Sequence, residues 1–107
     1  MAKKLYSIFT ADLEHCYECG KPHAQIHHMM NSANKAKAEK YGLILPLCIN
    51  HHTGADGVHT NPEKMLKMKQ MAQDGFEAVY YGEHYGEPDA EEDARRLWIK
   101  EFGKSYL

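Results

Sequence analysis

Between Cys48 and His59 the chain reads Cys-Ile-Asn-His-His-Thr-Gly-Ala-Asp-Gly-Val-His, which places one cysteine and three histidines within twelve residues. Thiolate sulfur and imidazole nitrogen are the ligands that borderline-soft metal ions select. Upstream, Cys16-Tyr17-Glu18-Cys19 adds a pair of thiols and His27-His28 a pair of imidazoles. Any fold open to this chain must gather three separated segments, and their seven or eight ligating side chains are enough for two metal sites.

The histidines set this sequence apart: there are eight in 107 residues, and six of them fall between His23 and His59. Three cysteines cannot all pair as disulfides, and in a reducing compartment Cys-x-x-Cys serves as a thiolate clamp or a redox pair. No strand and helix pattern of the thioredoxin kind surrounds it, so the clamp is the better reading. A chain of this length forms one domain, residues 1–107, with only a modest core, which makes a structural metal valuable. Cys16 and Cys19 on one knuckle with Cys48 and His51 on a second match tetrahedral zinc with no open position, and the role of such an ion is folding.

His27, His28, His52 and His59 remain. Neighbours on a strand point to opposite faces, so His27 and His28 should have different jobs. One can bind a metal with His52 and His59, leaving positions free for water and a phosphate oxygen. The other can act as general base, for which a neutral imidazole is well suited near physiological pH.

Along the chain, Leu5, Ile8 and Phe9 suit either a strand or an irregular arm, and the glycine in Cys-x-x-Cys-Gly-Lys-Pro suits a tight turn. His23 to His28 alternates as a short strand with Ile26 facing inward. Ser32 is the expected cap of a short polar helix from Asn34 to Tyr41 that Gly42 stops. Leu43-Ile44-Leu45-Pro46-Leu47 reads as the second strand, with Pro46 at an edge or an end. Asn61-Pro62-Glu63 starts a helix whose stripe is Met65, Met68, Ala72, Phe76 and Val79, weakened at Asp74-Gly75 and ending near Gly82. A last helix opens at Pro88 or Asp89, carries Ala94, Leu97, Trp98 and Phe102 inward, and closes at Gly103.

From about Cys16 to the helix after Asn61, these motifs resemble a small HNH endonuclease of the ββα-metal (His-Me finger) superfamily, of the kind encoded by bacteriophages and prophages. The resemblance implies an α+β fold: a ββα-metal finger with a zinc knuckle, flanked by additional helices. The motif core would cover about residues 16–75 and a helical extension about 76–107. In such nucleases a metal ligand and then the general base end the first strand, which maps to His27 and His28. Cys48-Ile49-Asn50-His51-His52 matches the stretch closing the second strand, with His51 in place of a cysteine and His52 as metal ligand. His59 would be the last ligand. The middle asparagine of the signature falls near Leu43, where this chain has none. Orientation of His28 then passes to a backbone carbonyl or another side chain. The interval from His52 to His59 is longer than usual, and Asp56 meets the shorter spacing as a rival ligand. Gly54, Gly57 and the later helix start favour a looped-out insertion ending at His59.

The implied reaction is metal-dependent hydrolysis of DNA phosphodiesters, as a nickase or nonspecific nuclease, since one site cuts one strand at a time. The catalytic ion would be magnesium, manganese, nickel or zinc beside the structural zinc. Lys35, Lys37, Lys40, Lys64 and Lys67 are the candidate phosphate contacts. The partners expected are DNA, with a homodimer or a recombination or packaging protein as further possibilities. A non-catalytic zinc-stabilised nucleic-acid-binding module is the main alternative, followed by a zinc hydrolase acting on another substrate. His15, His23 and His84 read as surface histidines, with His23 a reserve ligand.

Charge fits a nucleic-acid partner through its distribution, and bound divalent ions would bring the total near neutral. The formal net charge is −2, but residues 1–70 carry nine Lys/Arg against six Asp/Glu and residues 71–107 carry four against nine. One face can meet phosphates while the other stays acidic. No apolar run approaches the roughly 20 residues that span a bilayer, and Asp12 and Glu14 interrupt any signal-peptide core. The location expected is the cytoplasm of a bacterial or phage-infected cell.

Overall fold

Two short segments rich in apolar residues or histidine form the centre of the molecule. In a computed structural model, which describes residues 4–30 and 32–107 and Ser32 by its backbone alone, Gln25–His28 is strand β1 and Ile44–Leu47 is strand β2. They pair antiparallel, with His27 opposite Leu45 and His28 opposite Ile44. A side-chain cap from Ser32 lies outside the described residues. All four residues of β2 are buried, as a continuous apolar run predicts for a strand covered on both faces. Pro46 faces the outer edge, where its carbonyl accepts from the Tyr17 amide at 2.8 Å, so its missing N–H costs no ladder bond.

β1 corrects one expectation. The inward residue is His27, 1 % exposed, while Ile26 is half-buried. Strand parity puts Gln25 and His27 on one face, which meets other histidines, and Ile26 and His28 on the other.

The connection between the strands holds a 3₁₀ turn, Ser32–Asn34, and helix α1, Lys35–Lys40. It ends at Gly42, whose φ of +71° favours glycine. A Cβ there would also lie 2.6 Å from the Tyr6 ring, because the amino-terminal arm crosses this turn and its Ile8 amide donates to the Gly42 carbonyl. Tyr6 to Phe9 is an irregular arm and not a strand.

After β2 come α2, Ile49–His52, a 3₁₀ turn at Val58–Thr60, α3, Pro62–Glu83, and α4, Ala90–Phe102. The side chain of Asn61 caps α3 by accepting from the Glu63 and Lys64 amides. α3 runs unbroken through Asp74-Gly75 and one residue past Gly82. Gly75 admits the arm, since a Cβ there would sit 2.6 Å from the tip of Phe9. Met68, Ala72 and Phe76 face the core as expected, joined by Gln73. Val79 does not: it is 44 % exposed. It borders an open groove shared with Tyr6, Tyr41 and Leu97.

Phe76 meets Tyr41, Trp98 and Phe102 edge to face, and Trp98 and Phe102 pack at a tilt, a cluster that joins α3 and α4 to the end of α1. Burial of a ring such as Phe76 or Phe102 contributes about 1.5–3 kcal/mol. The described chain is thus a small α+β domain with a two-stranded sheet and four α-helices. No described helix is long and apolar enough to cross a membrane.

Candidate functional site

The first cluster grows from two turns. In the knuckle, the Cys16 amide donates to the Lys21 carbonyl and the Gly20 amide to the Cys16 carbonyl, each at 2.8 Å, with Gly20 at φ +78°. Tyr17 ties this loop to β2, and Cys48 follows β2 directly as the residue capping α2. One helical turn later comes His51. Cys16, Cys19, Cys48 and His51 therefore bring one ligand atom each within 4.8 Å of one another. Separations of 3.7 Å from Cys19 Sγ to Cys48 Sγ, 3.8 Å from Cys16 Sγ to His51 Nδ1 and 3.2 Å from Cys48 Sγ to His51 Nδ1 set its size. Ligands tetrahedral about zinc would be about 3.5–3.8 Å apart, so the cage suits an ion of that size.

Its electrostatics favour a cation. The His51 amide, against the effect of burial and with help from the His51 ring and the neighbouring thiols, brings Cys48 down to about 6. Burial raises Cys16, but amides from Cys48, Cys19 and Glu18 outweigh it and leave the thiol below its ordinary value. For Cys19 the Lys21 amide favours the thiolate, yet burial and the other two sulfurs together push it up. A divalent ion among the sulfurs would offset what Cys16 and Cys48 impose on Cys19.

The second cluster draws His27 from β1, His52 from the end of α2 and His59 from the Val58–Thr60 turn. Ring centroids lie 5.2, 5.1 and 4.7 Å apart, and the Nε2 atoms of His52 and His59 are 3.1 Å apart. His27 Nε2 is buried and has no hydrogen-bond partner among the described residues. A buried polar atom without a partner costs stability unless something outside the chain satisfies it. Two nitrogens on one ion would be about 3.0–3.4 Å apart, so a metal fits the lone pairs collected here. Burial, and then the neighbouring histidines His52, His59 and His28, hold His27 down to about 3. Burial also lowers His52, with His59 and His28 adding to it. Both rings are thus poised neutral, the form that ligates.

Gln25 Oε1 lies 2.8 Å from His52 Nδ1. A proton on Nδ1 donated to that amide oxygen leaves Nε2 as the free lone pair. The loop before His59 is closed by Thr60, whose hydroxyl donates to the carbonyls of Gly54 and Gly57. A Cβ on Gly57 would sit 2.7 Å from the His52 carbonyl, so glycine allows the loop to fold back on α2. His59, rather than Asp56, joins the cluster; the Asp56 carboxylate accepts from Asn50 instead.

His28 faces away from His27, as strand geometry requires, and its Nε2 lies 2.7 Å from Glu39 Oε2 on α1. Of the candidate phosphate contacts, Lys35, Lys40 and Lys67 are exposed. Lys37 is turned toward α4 and donates to the Glu101 carbonyl, and Lys64 donates to the Asp56 carbonyl. His15 pairs with Asp12, His23 is exposed outside both clusters, and His84 stacks on Tyr80. Sequence reasoning missed Gln25 and Glu39. The period-two spacing of Gln25 before His27 is a signal for the first; nothing local marks the second.

No protein-family model matches this chain, and comparison with curated proteins and with solved structures gives no match either.

Proposed function

We propose that this protein is a metal-dependent endonuclease of the HNH, ββα-metal type that hydrolyses DNA phosphodiester bonds, with a structural zinc on Cys16, Cys19, Cys48 and His51. The observation that carries this reading is the convergence of His27, His52 and His59 around a buried imidazole nitrogen that no described group satisfies. A divalent ion held there supplies Lewis-acid stabilisation of charge developing on a phosphate. His27 anchors the site from the protected face, while His52 and His59 border solvent and leave room for a phosphate to approach. His28 takes a proton from the attacking water on the ring nitrogen that Glu39 does not engage. Exposed Lys35, Lys40 and Lys67 would meet the backbone charge of DNA.

The competing reading, a zinc-stabilised binding module without catalysis, calls for closed four-ligand coordination at the second site. Among the described residues, no fourth His, Cys, Asp or Glu joins that cluster, which supports an open position. Nicking of supercoiled plasmid with magnesium, manganese, nickel or EDTA, beside His28→Ala of equal zinc content, tests the reading. Metal-dependent nicking by the wild type and none by His28→Ala is the expected result. If both proteins hold zinc and bind DNA but neither cuts, the binding module is the better description.

A further inference from the structure

The pair formed by His28 and Glu39 rests on two firmly held elements. The His28 backbone is paired with Ile44 in the ladder, and the next residue, Met29, donates to the Leu43 carbonyl. On α1, buried Ala38 fixes the rotation of the helix, and the Ala38 and Glu39 carbonyls accept from the Leu43 and Gly42 amides. Between these anchors the ring and the carboxylate meet at 2.7 Å, with side chains 22 % and 24 % exposed. Partial shielding strengthens a charge-assisted hydrogen bond relative to one in open water.

A general base must present a lone pair in a fixed direction, and an unrestrained neutral imidazole divides between two tautomers. If His28 donates its Nε2 proton to Glu39, Nδ1 carries the lone pair. The carboxylate then also stabilises the imidazolium that forms when Nδ1 receives the water's proton. The proton moves from water to Nδ1, the hydroxide oxygen forms the new bond to phosphorus, and the leaving oxygen departs with its electron pair. The Nε2 proton stays in place throughout.

We propose that Glu39 is the positioning residue for His28, taking over from α1 the orienting task that the missing middle asparagine leaves unfilled. The inference rests on the nuclease reading for its catalytic meaning, and the geometry of the pair stands apart from it. In this role Glu39 acts through His28.

The test uses zinc-loaded, nitrogen-15-labelled full-length protein as wild type, Glu39→Gln, Glu39→Ala and His28→Ala. Long-range proton–nitrogen correlation reads the His28 tautomer, assigned by the signal lost in His28→Ala. Single-turnover plasmid nicking is followed on the same samples. The expected result is a single Nε2-protonated tautomer in the wild type and a mixture or the opposite tautomer in both Glu39 variants. The nicking rate should fall on the order of 10–100-fold while plasmid KM stays within about twofold. Glu39→Gln preserves shape, so a folded variant remains if Glu39→Ala loses zinc. An unchanged tautomer, or a rate within about twofold of wild type, overturns the proposal while nicking by the wild type keeps the nuclease reading intact. Absence of nicking by the wild type with every ion overturns both together.

Discussion

His27 carries the heaviest load of any single residue. Its folded-state value near 3 lies below the usual 6.5, so in protein whose histidine cluster holds no ion the unfolded chain binds a proton between those limits and the folded chain does not. Stability is therefore undiminished above about pH 6.5 and is lost as pH falls toward 3, by at most about 1.4 kcal/mol per pH unit for this one proton. Urea unfolding from pH 7.5 to 5 of protein carrying one equivalent of zinc, enough for the cysteine cage alone, should show that decline, and His27→Gln should flatten it. Gln25 tests the other side of the cluster. Gln25→Ala removes the oxygen facing His52 Nδ1, and metal affinity at the histidine site should fall about 10–100-fold in competition with a chromogenic chelator. At this scale the two Cys/His groupings were legible, because residues able to hold a metal recur as closely spaced Cys and His whatever the fold. Ile26 misled: an isoleucine between histidines reads as the inward residue, but the buried direction belongs to His27. Glu39 was invisible because its meeting with His28 depends on how α1 settles between the strands.

Elements were legible where local chemistry decides them. Asn61-Pro62 marks the start of α3, Gly42 ends the α1 turn, Gly103 follows α4, and the apolar run at 43–47 holds β2. They were less legible where a distant segment decides. Gly75 looks like a weak point in a helix, yet its missing side chain makes room for Phe9. This assigns different outcomes to one substitution in two backgrounds. Gly75→Ala should give no gain in the wild type, whereas in a Phe9→Ala background it should stabilise by about 1 kcal/mol through helix propensity. Equal gains in both backgrounds, measured as shifts in urea midpoint, would show that the arm does not pack there. Val79 belongs to the same lesson: helical spacing placed it on the stripe, but the arm and α4 leave its side of α3 facing an open groove.

For the whole molecule, the question is how a domain this small stays folded. Zinc held by thiolates and imidazole contributes roughly 10–16 kcal/mol in small metal-bound folds, comparable to the entire stability of an ordinary domain. Stripping metal with a strong chelator should therefore abolish cooperative unfolding of the segment that carries the two clusters. The α3–α4 pair has its own aromatic cluster and a Gln73 that receives the Tyr106 amide, so part of the helical signal should persist. Circular dichroism at the helix minimum and Trp98 fluorescence, read before and after zinc is restored, check both parts. α2 adds a further consequence. His51 and His52 are consecutive, yet one turns toward the cysteines and the other toward His27 and His59. A single peptide unit thus spans the two clusters and acts as a common gauge for both. Metal entering the cysteine cage would set the position of His52 before any second ion arrives, and loading of the protein acquires an order.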